Sequence, residues 1–158
     1  MRIIGIDPGM AIVGYSIIDF ENDKMTLVES GSIQTNKNLP DSKRIKEIYD
    51  DLSFLIEKYK PHEASIEKLF FFKNQKTVMP VSQARGVILL ALEKAGIEIH
   101  EYTPIEIKQT LTGYGRATKD EVANYVKIIL SGQDIPKLDD TVDSIAIAIC
   151  HLRNLVFA

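Results

Sequence analysis

The chain has 158 residues, a formal net charge of −3 and a hydrophobic fraction of 45%, values typical of one globular domain with a single core. It has no uncharged apolar stretch of about eighteen residues, so the sequence predicts no membrane contact. The apolar N-terminus contains Asp7, Pro8 and Gly9, which argues against a secretory signal, and Cys150 is the only cysteine. We therefore expect a cytoplasmic protein in which residues 1–158 form one domain.

The first part of the chain predicts three strands joined by tight turns. Apolar runs place these strands at residues 2–7, 12–19 and 25–33, with Asp-Pro-Gly-Met and Glu-Asn-Asp-Lys as the connections. Connections this short join antiparallel neighbours. The pattern predicts an antiparallel meander.

Helices and strands alternate in the middle of the chain. Asp41 is expected to cap a helix that ends at Pro61, and residues 63–67 and 98–102 are predicted strands with a helix over residues 82–95 between them. Strands separated by helices pair in parallel. The sequence therefore predicts a mixed α/β sheet.

Three helices are predicted after the last strand. A short one follows Pro104, Thr118 and Glu121 form a capping box for the second, and the third covers residues 140–154.

The helix over residues 82–95 contains an apolar run at residues 87–92 that has no polar face. Such a helix is either wedged into the core or half covered by another subunit, and the core is the safer interpretation. If a second subunit covers it, a charge at Leu89 should disrupt the assembly.

Four carboxylates stand at the ends of core elements. Asp7 closes the first strand, Glu67 closes the fourth, and Asp140 and Asp143 open the last helix on one face. Taken singly, an Asp before Pro-Gly is often a turn residue and an Asp at a helix start is often a cap. Four clustered anions raise one another's pKa unless cations neutralise them, and oxygen ligands of this kind suit Mg²⁺ or Mn²⁺. The set predicts a metal site.

Charge is unevenly distributed along the chain. Residues 68–127 carry 9 Lys/Arg against 6 Asp/Glu, whereas the segments before and after them have net charges of −4 and −2. A basic surface beside an acidic pocket suits a polyanion whose reacting phosphate is held by metal, although a solvated loop explains the lysines alone. The histidines, His62, His100 and His151, show no zinc-ligand spacing.

The order of elements, with acids ending strands one and four, is the pattern of the RNase H-like fold, a mixed five-stranded sheet flanked by helices. Five motifs along nearly the whole chain resemble those of the RuvC family of Holliday junction resolvases. They are GIDPG at 5–9, IEKLFFFKN at 66–74, QARG at 83–86, IKQTLTGYGRATKDEV at 107–122 and DDTVDSIAIAICH at 139–151.

The resemblance implies a role for each acidic residue. Asp7, Glu67, Asp140 and Asp143 match the family's catalytic metal ligands, and the implied cofactor is Mg²⁺, two ions per site, with Mn²⁺ as a substitute. The implied reaction is in-line hydrolysis of a phosphodiester that leaves 5′-phosphate and 3′-hydroxyl ends.

The resemblance also implies DNA contacts. Lys119 and Lys108 match family lysines near the scissile phosphate, and Phe70 matches an aromatic residue that stacks on a base at the opened junction. Core positions are the better interpretation of Phe71 and Phe72. The expected DNA-binding set is Phe70, Lys73, Lys76, Arg85, Lys108, Arg116 and Lys119.

The partners implied by the resemblance are a four-way DNA junction, a second copy of the chain in a symmetric homodimer, and the branch-migration proteins RuvA and RuvB. Three rival interpretations fit the sequence less well. A sugar kinase or actin-like ATPase needs a second domain, a catalytically dead junction-binding protein should have lost a ligand, and an RNase H or transposase-type nuclease would lack QARG and the segment from Lys108 to Lys119.

Overall fold

The computed structural model describes residues 1–68 and 75–156, which form a mixed five-stranded sheet with five helices. The strands are β1 (Arg2–Asp7), β2 (Ile12–Glu21), β3 (Lys24–Gln34), β4 (Glu63–Glu67) and β5 (Glu98–Tyr102). The helices are α1 (Asp41–Tyr59), α2 (Gln75–Lys94), α3 (Pro104–Thr112), α4 (Lys119–Ile129) and α5 (Asp139–Val156). The predicted RNase H-like α/β class is confirmed.

The sheet has the strand order β3-β2-β1-β4-β5. The first three strands form the predicted antiparallel meander, and β1 pairs in parallel with β4, which pairs in parallel with β5. Parallel pairing of β1 and β4 brings their C-terminal ends to the same edge of the sheet.

Alternate side chains of the sheet enter two hydrophobic clusters. Ile4 and Ile6 of β1 pack with α1 and α2, whereas Ile3 packs with α3, α4 and α5. Each face of the sheet is therefore covered by its own group of helices. Within the described residues, no helix is long and apolar enough to cross a membrane.

Two helix starts differ from the sequence prediction. Asp41 does not cap α1, because Pro40 occupies the N-cap position and Asp41 is the first helical residue. Helix α2 begins at Gln75 and continues through Pro80, so it starts well before the predicted residue 82. A proline removes one helical hydrogen bond, and the packing of the rest of the helix outweighs that loss.

The apolar run in α2 is divided between the core and the surface. Ile88 and Leu92 are fully buried, and Leu89 is half-buried against the same cluster. Leu90 is 54% exposed and Met79, on the same helix, is 69% exposed. The core interpretation holds for one face of the helix, and Leu90 marks the exposed face better than Leu89.

Candidate active site

The four predicted carboxylates lie around one cleft of about 440 Å³. Asp7 comes from the end of β1, Glu67 from the end of β4, and Asp140 and Asp143 from the N-terminal part of α5. The remaining lining residues are Lys68, Pro104, Ile107, Lys108, Lys119, Val122, Ala146 and Ile147. Four carboxylates and three lysines therefore line the same cleft.

Strand register brings the first two acids together. Ile6 of β1 lies opposite Ile66 of β4 in a parallel pair, and each is followed directly by its acid, Asp7 or Glu67. Successive side chains of a strand alternate between the two faces of the sheet, and Ile6 and Ile66 point into the same hydrophobic cluster, so Asp7 and Glu67 both emerge on the opposite face. This is the face on which α5 packs.

Helix α5 packs closely on the sheet, which places Asp140 and Asp143 in the same cleft as Asp7 and Glu67. A Cβ added to Gly14 would lie 2.0 Å from the backbone oxygen of Asp140, and one added to Gly5 would lie 2.2 Å from that of Ser144. Glycine at these two strand positions is what allows the helix to sit so close. Sequence reasoning missed this role, although an isolated glycine within a strand is a recognisable signal of close packing.

Two buried hydroxyls fix the helix on the sheet. Ser16 Oγ donates to the backbone oxygen of Ser144 at 2.9 Å, and Ser65 Oγ donates to that of Ile147 at 2.8 Å. These bonds satisfy polar groups that the core would otherwise leave without partners. They hold α5 in register with β2 and β4.

The buried carboxyl of Asp7 is electrostatically unfavourable when ionised. Burial and the nearby charges of Glu67, Asp143 and Asp140 raise its pKa to about 8, and only Lys119 acts in the opposite direction. A divalent cation would reverse this balance, because it favours the ionised form of every surrounding oxygen ligand. The donor set therefore fits a hard divalent ion.

Lys119 is held at the rim of the cleft by the start of α4. The predicted capping box is present, with the Thr118 side chain accepting from Glu121 N and the Glu121 side chain accepting from Thr118 N. Lys119 Nζ then lies 3.4 Å from Asp143 Oδ2. Burial raises the pKa of Asp143, and the charge of Asp143 raises the pKa of Lys119.

Lys108 also lines the cleft, from the middle of α3. A second capping box, between Thr103 and Glu106, begins this helix and was not predicted. Lys68 lines the cleft as well and was not among the expected DNA contacts. Arg116 is exposed in the turn before α4 and does not line the cleft.

The other expected DNA contacts lie apart from the cleft or outside the described residues. Lys76 is exposed on α2, and Arg85 pairs with Glu101 of β5. Phe70, Phe71, Phe72 and Lys73 lie outside the residues that the structure describes.

Two of the histidines that the sequence scatters come together at the opposite end of β4. The rings of His100 and His151 stack with centroids 4.2 Å apart, and both approach the carboxylate of Glu63. Sequence reasoning missed this group, because the spacing between the two histidines carries no local signal.

Comparisons with known proteins agree with this architecture. The family model described as "Crossover junction endodeoxyribonuclease RuvC" matches residues 3–151. A protein of that name from Brevibacillus brevis is 48% identical over 157 residues, which cover 99% of this chain and 95% of that protein. The solved structure of Thermus thermophilus RuvC superposes with a TM-score of 0.92 at 29% identity, covering 99% of this chain and 96% of that one. The structure of T. thermophilus RuvC in complex with Holliday junction substrate gives the same TM-score at 28% identity.

Proposed function

The chain belongs to the RuvC family of crossover junction endodeoxyribonucleases, and from that premise we propose that it resolves four-way DNA junctions by metal-dependent hydrolysis at the cleft around Asp7. The observation that carries this proposal is the acidic cleft itself, where four carboxylates from three elements converge, and where burial and the other three carboxylates raise the pKa of Asp7 to about 8. This arrangement costs free energy unless cations bind. It therefore serves binding rather than stability.

Two Mg²⁺ ions are the proposed cofactor, with Mn²⁺ as a substitute. Asp7, Glu67, Asp140 and Asp143 would hold them, and the bound ions would supply an activated water and stabilisation of the leaving oxygen. The proposed products carry 5′-phosphate and 3′-hydroxyl ends.

The lysines of the cleft would act on the phosphate. Lys119 lies at the rim beside Asp143, and Lys108 faces the same cleft from α3. Two ammonium groups on fixed helices can hold a phosphodiester over the carboxylates and stabilise the negative charge that develops on it.

DNA is the proposed polyanion, and the four-way junction is the proposed form of it. The related T. thermophilus protein was solved with a Holliday junction substrate. In this chain, the segment with net positive charge supplies Lys68, Lys108 and Lys119 to the cleft. The remaining proposed contacts are Phe70, Lys73, Lys76, Arg85 and Arg116.

A symmetric homodimer is proposed as the acting unit, because resolving a junction into intact duplexes requires two symmetric nicks. An exposed stripe on α2, made of Met79, Gln83, Gly86 and Leu90, follows helical spacing. A Cβ added to Gly86 would meet nothing within 4 Å, so a second helix can approach there closely. Such a face suits an isologous interface. We further propose a cytoplasmic location and contacts with RuvA and RuvB.

Incubation of the protein with a synthetic four-way junction tests the proposed activity. With Mg²⁺, we expect paired nicks placed symmetrically about the centre of the junction, and no cleavage of a linear duplex built from the same sequences. Ligation of the products without further treatment checks the 5′-phosphate and 3′-hydroxyl ends. Equal cleavage of the linear duplex would contradict junction specificity.

Sedimentation of a charge variant tests the dimer. Leu90→Glu should yield a folded monomer that loses paired cleavage, because a carboxylate on each protomer would face an apolar partner surface. Ile128→Glu, at an exposed apolar position on α4, is the matched control and should remain dimeric. A monomeric wild-type protein with full paired cleavage would overturn the dimer proposal.

A further inference from the structure

A second cluster of ligand groups lies at the N-terminal end of β4. It is formed by Glu63, His100 and His151. Each residue offers one ligand atom, and these three atoms lie within 4.8 Å of one another. Glu63 Oε2 is 2.7 Å from His151 Nε2 and 3.1 Å from His100 Nε2. Glu98 adds a carboxylate oxygen 3.5 Å from His100 Nε2. None of these residues lines the acidic cleft.

These separations are close to those that a small divalent ion imposes on its ligands. Zinc binds histidine nitrogen and carboxylate oxygen at about 2.0 to 2.2 Å, so neighbouring ligand atoms of a tetrahedral site lie about 3.3 to 3.6 Å apart. The observed 3.5 Å lies in that range, and the observed 3.1 and 2.7 Å are shorter. Glu63 and His151, which are at hydrogen-bond distance, would move slightly apart around an ion.

His100 is not satisfied by the protein groups around it. Its Nε2 is buried and, among the described residues, has no hydrogen-bond partner, since it lies near Glu63 without the alignment that a hydrogen bond needs. Coordinating groups point at their ion rather than at one another. An unpartnered imidazole nitrogen beside a carboxylate is therefore the feature expected of a ligand.

His151 is prepared to bind a metal through the same nitrogen. Tyr102 Oη lies 2.8 Å from its Nδ1, and Glu63 Oε2 lies 2.7 Å from its Nε2. A tyrosine hydroxyl both donates and accepts, so it supports His151 when the proton moves from Nε2 to Nδ1 and Nε2 is freed for an ion. Burial lowers the pKa of His151, which keeps its ring neutral, as a metal ligand must be.

The local charge also favours a cation. Within the described ranges, no lysine or arginine forms an ion pair with Glu63, whose side chain is only 18% exposed. Its nearest polar neighbours are the two imidazoles. A divalent ion would neutralise the carboxylate at a position where water reaches it poorly.

We propose that Glu63, His100 and His151 form a second metal site of the zinc class, with Glu98 or water as the fourth ligand. The site would join β4, β5 and α5, three elements that no disulfide links. Imidazole nitrogen suits Zn²⁺ better than Mg²⁺, which prefers oxygen ligands, so the two sites of the protein would select different ions. The role of this site is structural.

A titration with Zn²⁺ tests the proposal in a background that removes the acidic cleft as a competitor. Metal-free Asp7→Asn/Glu67→Gln protein is titrated with Zn²⁺ against a chromophoric chelator. We expect one ion bound per chain and an affinity that His100→Gln lowers about 100-fold. His100 is chosen because it is half-buried and tolerates substitution better than the buried His151. His62→Gln, at an exposed histidine, is the matched control and should bind like the background protein.

Thermal unfolding and cobalt spectroscopy supply readouts that do not depend on activity. Zn²⁺ at about 100 times its dissociation constant should raise Tm by about 5 °C or more in the background protein and not in the His100→Gln variant. Co²⁺ should give the visible absorption of a tetrahedral site in the same pattern. Failure of the background protein to bind Zn²⁺, or binding that His100→Gln leaves unchanged, would overturn the proposal. Neither result would bear on the proposed cleavage activity of the wild-type protein.

Discussion

Strand β4 has a glutamate at each end, and the two ends differ in their electrostatic surroundings. Glu67 enters a cleft with three further carboxylates, where burial and repulsion raise the pKa of Asp7 to about 8. Glu63 faces two imidazoles, one of them fully buried. Helix α5 spans both ends, because it carries Asp140 near its start and His151 about three turns later. On the two proposals above, the neighbours of a carboxylate, rather than its residue type, would decide which ion it binds.

The acidic end of β4, which is the cleft around Asp7 and Glu67, should be indispensable for cleavage. Asp7→Asn, Glu67→Gln and Asp140→Asn should each lower the rate of junction cleavage by about 1,000-fold or more, because each would remove a ligand of the proposed metal ions. Asp143→Asn should also reduce the rate. Cleavage of a labelled junction in Mg²⁺ measures the effect, and binding to the junction should remain largely intact.

Asp139→Asn is the matched control for these variants. Asp139 opens the same helix one residue before Asp140, is exposed and does not line the cleft. Its rate should stay close to that of the wild type. Wild-type cleavage by Asp7→Asn, Glu67→Gln or Asp140→Asn would remove the distinction between the two ends of β4.

Lysines at the acidic end should contribute a smaller effect. Lys119→Ala and Lys108→Ala should each slow cleavage about 10-fold to 100-fold, because each removes a positive charge from the cleft in which the proposed reaction takes place. Lys127→Ala, at an exposed lysine of the same helix as Lys119, is the control and should cut normally. Junction binding should weaken as salt rises. A rate for Lys119→Ala equal to that of the control would exclude this role.

Burial and repulsion of the carboxylates in the cleft should lower the stability of the metal-free protein. The pKa of Asp7 rises from 3.8 to about 8 on folding, so across that range the metal-free folded protein retains a proton that the unfolded chain has released. Its stability therefore falls as the pH rises through this range. Asp7→Asn should increase the free energy of unfolding of metal-free protein by about 2 kcal/mol at pH 8 and by less at pH 5.

Urea unfolding with a chelator present measures this difference at the two pH values. Asp139→Asn should show no comparable gain at pH 8. If Asp7→Asn destabilises the metal-free protein at pH 8, the carboxylates do not repel one another as the structure indicates.

The acidic end was predictable from sequence, and the histidine end was not. An apolar run that stops at Asp7 or Glu67 reveals both a strand and its end, and Asp140 precedes an apolar helix, so local patterns suffice. His100 and His151 meet only because β5 pairs in parallel with β4 and α5 lies across them. Register and helix placement depend on the whole fold, and no window of sequence encodes them.

Some parts of the acidic end also escaped sequence reasoning. The packing of Gly14 against Asp140 depends on how closely α5 approaches the sheet, which is a tertiary property. Likewise, the sequence predicted this helix over residues 82–95, yet α2 begins at Gln75 and continues through Pro80. In both cases packing overrides a local preference.

Anomalous diffraction from metal-soaked crystals would test the contrast between the two ends most directly. Crystals soaked in Mn²⁺ should show anomalous peaks within the cleft bounded by Asp7, Glu67, Asp140 and Asp143, and none between Glu63 and His151. Crystals soaked in Zn²⁺ should show an additional peak between Glu63, His100 and His151. A cleft without Mn²⁺, with the ion bound instead beside Glu63, would contradict the account.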